Sequence, residues 1–297
     1  MSELLELEKK AIERLKAFEP DEGYYLAFSG GKDSVICKAL LDMANAKFDA
    51  TYRVTSVDPP ELVRFIKGQH PDVIREVPRD KEGKPITMWN LIPRKLMPPT
   101  RLVRYCCSEL KESGGDGRMV VTGVRWAEST NRKNGYAIVT VPVKSAQRTY
   151  GDNPDFRTTK QGGVILVNDN DDSRKMVEQC YKRHKTMLNP IVEWTDQQIW
   201  EFIQAHGIPV CSLYNEGMKR LGCVGCPKAS KKNREREFNR WPKYKQHYLK
   251  AFEKMLAERK LRGKANGWQS PQDVFNWWMG YDVLPGQIDL FEEELDA

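Results

Sequence analysis

Apolar residues recur along this chain in two rhythms, and the switches between them outline a fold. Residues 3–18 read as an acidic amphipathic helix that closes near Pro20. An uninterrupted apolar run follows, Tyr24-Tyr25-Leu26-Ala27-Phe28, as a buried strand would show. Beyond a glycine turn, Val35, Ile36, Ala39, Leu40 and Met43 restore helical spacing to about Asn45. Residues 50–57 are β-rich and predict a second strand, ending at Asp58-Pro59-Pro60-Glu61. Proline suits the first turn of the helix expected over 61–68. Residues 72–77 predict a short third strand, 87–91 a short helix among turns, and 118–124 another buried strand. Strands alternating with helices at this spacing predict an α/β fold with a doubly wound, mostly parallel sheet. Ligands of such sheets bind beyond the carboxyl ends of the strands. The loop at 29–34, Asp58 and Arg125 each follow a strand, so they are expected to share one crevice.

Further on the pattern loosens. Polar turns at 152–155 and 169–172 flank a short apolar strand at 164–167, which reads as an inserted hairpin or a mobile lid within 144–175. From Asn189 the chain is expected to be helical, with Thr195 capping a helix over 196–206 that buries Ile199, Trp200, Phe202 and Ile203. A long basic helix is expected over about 233–260, then a tryptophan-rich segment and an acidic tail.

Ser29-Gly30-Gly31-Lys32-Asp33-Ser34 lies between a strand and a helix N-terminus. There glycines let backbone N–H groups approach a phosphate, and the helix dipole favours its charge. Ser29 and Ser34 add hydroxyls, Lys32 a mobile cation and Asp33 a candidate Mg²⁺ ligand. The spacing is not that of a Walker A loop. The bland alternative is a glycine turn with an ordinary helix cap. Asp58 could hold a metal or a ribose, or form an Asx turn before the prolines. Arg132 could reach phosphates, or pair with Glu128 one helical turn back.

Composition changes this picture little: 40% of the 297 residues are hydrophobic and 30% charged, and no apolar run approaches the roughly 18 residues of a membrane span. The first residues do not read as a signal peptide, and the cytoplasm is the expected location. The net charge of +7 is unevenly spread, with six or more basic residues over 228–240 and acidic residues over 289–296. The basic stretch could attract a polyanion such as tRNA or DNA, or be a solvated helix face. Seven cysteines in a cytoplasmic chain point to metal or redox use rather than to disulfides. Cys37, Cys180 and Cys211 read as packing. Cys106-Cys107 and Cys223-Val224-Gly225-Cys226 are candidate metal ligands, able to offer four thiolates to Zn²⁺ or to a [4Fe–4S] cluster. Neighbouring cysteines diverge along an extended backbone, which suits the wider cluster better than one small ion. Free thiols or a redox pair are the third reading.

The loop at 29–34 resembles the pyrophosphatase loop of the N-type ATP pyrophosphatases, or adenine nucleotide alpha hydrolases, whose fold the phosphoadenylylsulfate (PAPS) reductase family shares. A vicinal cysteine pair followed far downstream by C-x-x-C resembles the cluster pattern of that family's iron–sulfur adenylylsulfate reductases. Thr122-Gly123-Val124-Arg125-Trp126-Ala127-Glu128-Ser129 with Arg132 resembles its T-G-x-R-x-x-E-S-x-x-R segment. Asn189-Pro190-Ile191-Val192-Glu193-Trp194-Thr195-Asp196 with Ile199-Trp200, and Ser212-Leu213-Tyr214 to Gly222-Cys223, resemble two further elements. The likeness covers about residues 20–230. It implies a nucleotide-binding domain over 21–230, between an N-terminal helix (1–20) and a helical C-terminal region with an acidic tail (231–297). It implies an adenine nucleotide, ATP or PAPS or adenylylsulfate, held by residues 29–34 with Asp58, Gly123, Arg125 and Arg132. Lys32, Asp33 and Arg125 would then be catalytic, with Lys32 and Arg125 neutralising charge on departing pyrophosphate and Asp33 holding Mg²⁺. Cys106, Cys107, Cys223 and Cys226 would hold a [4Fe–4S] cluster.

Two departures shape the expected function. The reductases carry a nucleophilic cysteine in a C-terminal E-C-G-(I/L)-H segment, and no cysteine follows Cys226 here. The loop also keeps Lys32, as ATP-cleaving members do. The leading expectation is an ATP pyrophosphatase that adenylates an acceptor for sulfur transfer, with tRNA or DNA and a sulfur-donor protein among its partners. The alternatives are a PAPS or adenylylsulfate reductase using another thiol, and a non-catalytic nucleotide- and cluster-binding module of a larger assembly. A homo-oligomer is left open, and no membrane partner is expected.

Overall fold

The computed structural model describes residues 2–136, 138–141, 154–158, 164–166, 185–264 and 267–281. Its helices in chain order are α1 (Ser2–Ala17), α2 (Lys32–Met43), α3 (Pro60–Gln69), α4 (Met88–Lys95), α5 (Tyr105–Leu110), α6 (Thr130–Gly135), α7 (Asp196–Ala205), α8 (Lys231–Arg240), α9 (Pro242–Leu261) and α10 (Pro271–Met279). Its strands are β1 (Tyr24–Ala27), β2 (Phe48–Arg53), β3 (Ile74–Glu76), β4 (Met119–Val121), β5 (Val139–Val141), β6 (Phe156–Thr158), β7 (Val164–Leu166) and β8 (Thr186–Leu188). The chain divides into two compact units. One comprises residues 1–53, 60–76 and 113–221, the other 54–59, 77–112 and 222–297.

All eight strands belong to the first unit and form one sheet in the order β3-β2-β1-β4-β8-β5-β7-β6. The first five pair in parallel, and Leu26 of β1 lies between Ala50 and Val121. This central position accounts for the unbroken apolar run, since Tyr24, Tyr25 and Leu26 are all buried. The Tyr24 hydroxyl donates to the Leu15 carbonyl of α1 at 2.7 Å, which satisfies that polar atom within the core. The expected parallel α/β sheet is therefore present, and it is wider than the sequence pattern implies. β5 and β8, three residues each, fall just before the expected insertion and the expected helical region, where the sequence pattern assigned no element. The expected hairpin appears as β6 and β7, which extend the sheet antiparallel through β5. The rest of the 144–175 insertion, Cys180 and the acidic tail lie outside the described residues.

The second unit is helical. Phe238, Tyr248, Phe252, Phe275 and Trp278 pack ring against ring, with centroids 4.7 to 6.1 Å apart. The single basic helix expected over 233–260 is two helices. Pro242 has no amide hydrogen to continue α8, but its fixed φ suits the first turn of α9. Cys106 and Cys107 lie on α5 rather than on the extended backbone expected for them. No helix among the described residues is long and apolar enough to cross a membrane.

Candidate functional site

Between the end of β1 and the start of α2 the backbone must turn within four residues. Gly30 does so with φ +71°, and a Cβ there would lie 2.7–2.8 Å from Ile66 and Leu62 of α3. Gly31 occupies the cap position of α2 and offers its amides no side chain. Ser34 folds back instead, donating its hydroxyl to the Gly31 carbonyl at 2.9 Å and accepting from the Ser29 amide at 3.2 Å. The Ser29 hydroxyl lies 3.1 Å from that of Ser34. The Lys32 amide donates to the Tyr214 hydroxyl at 2.9 Å.

The charged residues of the loop meet partners from distant segments of the same unit. Lys32 Nζ is 3.1 Å from Asp33 Oδ2 and 3.5 Å from Asp196 Oδ1. Arg125, whose side chain is 1% exposed, donates from Nε to Asp33 Oδ1 at 2.6 Å and from Nη2 to Asp196 Oδ1 at 2.7 Å. Its Nη1 donates to the Trp194 carbonyl at 3.1 Å. Burial works against the guanidinium charge, but the two carboxylates outweigh it and hold Arg125 above its ordinary range. Burial would raise Asp196 too, yet Arg125 and Lys32 hold its carboxyl below the usual carboxylate range. The charge of Arg125 is thus matched inside the protein. Both oxygens of Asp33 face cations, which does not fit the Mg²⁺ role expected of it. Among the described residues, no group of three or more His, Cys, Asp or Glu could hold a single metal ion.

Gly123 also has a steric explanation: a Cβ would lie 2.8 Å from Asp33 Cβ and 2.9 Å from the Asp33 carbonyl carbon. Its bareness lets the segment after β4 pass against the start of α2. Arg132 pairs with Glu128, the alternative given above. Glu128 in turn accepts from the Arg125 amide at 3.2 Å. Asp196 is the functional residue that sequence reasoning missed. It opens α7 behind the Thr195 cap, whose hydroxyl accepts from the Gln198 amide at 3.3 Å. An acidic residue in a first helical turn is common enough to pass as a dipole partner, so only its place in the N-P-x-x-x-W-T-D element marked it.

Asp58 and the four candidate cysteine ligands belong to the second unit. None of these cysteines forms a disulfide. Cys223 and Cys226 bracket Gly225, which has φ +74° and whose Cβ would collide with Phe238 at 2.6 Å. The Gly225 amide donates to Glu237 at 2.7 Å, and the Val224 carbonyl accepts from the Tyr248 hydroxyl at 3.0 Å. The Cys106 thiol is pushed up by its hydrogen bond to Cys107, then by burial, with Cys107, Cys223 and Cys226 adding to the effect. The same bond pulls Cys107 down. Desolvation pushes Cys223 up to about 11, against the pull of the Lys111 ammonium. Four cysteine thiols of one unit are by their chemistry the donor set that a four-thiolate cluster takes, although among the described residues no three of them are grouped as a metal site. Cys223 Sγ also lies 3.8 Å from Asp58 Oδ1, and the Asp58 carbonyl accepts from the Tyr244 hydroxyl at 2.6 Å. These contacts associate buried Asp58 with the cysteine turn, whereas Arg125 meets the glycine loop.

A family model for the phosphoadenosine phosphosulfate reductase domain matches residues 23–229. An adenosine 5'-phosphosulfate reductase of Allochromatium vinosum is 32% identical over 54 residues, which are 18% of this chain and 21% of that protein. An uncharacterized 37.8 kDa protein in the gpa 5' region of Escherichia phage 186 is 31% identical over 87 residues, 29% of this chain and 26% of that protein. The chain thus spans about a fifth to a quarter of the length of these curated relatives. Among solved structures, a PAPS reductase from Candida auris in a phosphate complex gives a TM-score of 0.39 at 14% identity, covering 75% of this chain and 95% of that one. The FMN adenylyltransferase of Candida glabrata, in complex with FAD and inorganic pyrophosphate, gives 0.40 at 14% identity, covering 74% and 65%. Scores this low carry no argument about function. The domain match does take in the glycine loop, the Arg125 and Asp196 segments and all four paired cysteines, and on that match the chain belongs to the phosphoadenosine phosphosulfate reductase domain family.

Proposed function

We propose that the chain is an enzyme that binds ATP at the glycine loop and adenylates an acceptor, tRNA or DNA, for sulfur transfer from a donor protein. The observation that supports this most is the set of four charges behind the loop, Lys32, Asp33, Arg125 and Asp196, joined by contacts of 2.6 to 3.5 Å. In the reaction an acceptor oxygen attacks the α-phosphorus, the bond to the bridging oxygen breaks, and pyrophosphate leaves with the electron pair. The loop amides and the Ser29 and Ser34 hydroxyls bind phosphate oxygens, and Lys32 neutralises charge on the leaving group. Arg125 acts as a positioning residue, fixing the carboxylates that hold the Lys32 ammonium. Gly123 keeps the approach open, and Arg132 acts through Glu128. Cys106, Cys107, Cys223 and Cys226 would hold a [4Fe–4S] cluster, with Asp58 and Lys111 beside Cys223. When bound, that group supplies sulfur or electron chemistry, or ties the second unit together.

The family match favours one second reading, a reductase in which the same loop holds PAPS or adenylylsulfate. A third, a nucleotide-binding module without turnover, needs only the loop. The test is incubation of the full chain with labelled ATP and candidate acceptors. Formation of AMP and pyrophosphate, lost in Lys32→Ala, is the expected result. Sulfite released from PAPS or adenylylsulfate with a dithiol donor, and no ATP cleavage, would put the reductase in its place. Tight ATP binding with no turnover for any acceptor would favour the module.

A further inference from the structure

A hydrophobic side chain in water is unremarkable when it is mobile and scattered, but the second unit holds one rigidly between two cations. Leu102 is 80% exposed and Val103 45% exposed, with exposed Arg101 and Arg104 on either side. The tip is closed by the Thr100 amide donating to the Val103 carbonyl at 3.1 Å and the Val103 amide donating to the Thr100 hydroxyl at 3.0 Å. Pro98 and Pro99 stiffen its base, and the buried Trp278 indole donates to the Pro99 carbonyl at 2.7 Å. Tyr105, on its far side, donates to the Met97 carbonyl at 2.8 Å. Nothing in this packing needs Leu102 outside, and burying it would be favourable. The tip holds it out.

The surrounding charge identifies a counterpart. Between Lys95 and Ser108 the sequence has two cations, Arg101 and Arg104, and no carboxylate. Trp278 connects the tip to α8, because its carbonyl accepts from Arg234 at 2.8 Å. On α8 Glu237 accepts from the part-buried Gly225 amide at 2.7 Å, while Glu235 accepts from the exposed Tyr281 hydroxyl at 2.8 Å. Lys228, Lys232 and Arg236 face solvent. An apolar wedge flanked by two exposed arginines matches stacked bases between phosphates, in which a leucine enters a base step while the guanidiniums hold the backbone. We propose that residues 101–104 are a nucleic-acid wedge: Arg101 and Arg104 seat on phosphates, and Leu102 unstacks a base step. This assigns a surface to the acceptor of the proposed reaction and rests on that reading for its purpose, although its test needs no turnover.

The test uses the purified full chain, a labelled duplex DNA and a labelled RNA hairpin, each carrying 2-aminopurine as a reporter of unstacking. The wild type should bind at least one of them with strong salt dependence and brighten the probe, and the two arms show whether DNA or RNA is preferred. Arg101→Gln with Arg104→Gln should weaken binding about tenfold and lower the salt slope by about 2. Leu102→Ala should keep most of the affinity but lose the brightening. Thermal melts should match the wild type, since all three side chains are exposed. Binding to neither nucleic acid, as expected if the tip docks on an acidic protein instead, overturns the proposal. An unchanged probe signal in Leu102→Ala, or an unchanged salt slope in the arginine variant, overturns it as well. ATP binding is measured on the same preparation: nucleic-acid binding without it would sink the proposed reaction and spare the wedge, and the converse would do the reverse.

Discussion

Arg125→Met tests whether the charge network organises the nucleotide loop. The substitution keeps most of the volume of a side chain that is 1% exposed and removes three donated hydrogen bonds, two to carboxylates and one to the Trp194 carbonyl. Bonds to charged groups contribute about 1.5–3 kcal/mol each and a neutral one about 1, giving roughly 4–7 kcal/mol before compensation. Compensation is substantial. Asp196 is 68% exposed and can turn to water, and Asp33 keeps its contact with Lys32. A net loss of about 2–3 kcal/mol remains, which for a chain of this size lowers the melting temperature by about 5–10 °C. Thermal unfolding followed by circular dichroism near neutral pH reads this directly, and ATP affinity measured on the folded variant should fall as Lys32 loses its anchor. Arg125→Lys should recover less than half of the loss, because an ammonium cannot span three acceptors as a planar fork does. A melt within about 1 °C of the wild type for Arg125→Met, or full rescue by lysine, would refute the argument.

Gly123→Ala should cost about 1–3 kcal/mol, because the new methyl meets Asp33 backbone at 2.9 Å; lower thermal stability with weakened ATP binding is the expected pair of results. His70 packs edge-on to Phe28 and Phe65, and its Nε2 has no hydrogen-bond partner among the described residues. Burial, then the Lys38 ammonium, holds its imidazole below 6.5. The unfolded chain therefore takes up the proton first, so this contribution is complete above about 6.5 and shrinks as pH falls towards the folded value. Urea midpoints should drop between about pH 7.5 and 5.5, and His70→Phe should flatten that dependence; equal slopes for the two proteins would refute it. Anaerobically purified protein should carry iron with visible absorbance, and both should be lost in Cys106→Ser and Cys226→Ser. An iron-free wild type would leave the four-sulfur reading without support.

What the chain states locally, it states clearly. The run from Tyr24 to Phe28, the glycines at 30 and 31 and the helical spacing from Val35 announce a strand, a turn and a helix, because each is set by side chains and backbone freedoms within a few residues. The break at Pro242 was equally local, but helical periodicity on both sides concealed it. β8 was not legible: three residues carry too little pattern, and their burial comes from pairing with β4. The same holds for the site. Lys32 and Asp33 stand out in a six-residue loop, whereas Asp196 acquires its role only where it meets Arg125, 71 residues away in sequence. Neither member of this ion pair encodes the other. Their charges become partners when chain folding brings the two segments to 2.7 Å of each other, and that event belongs to the tertiary structure alone.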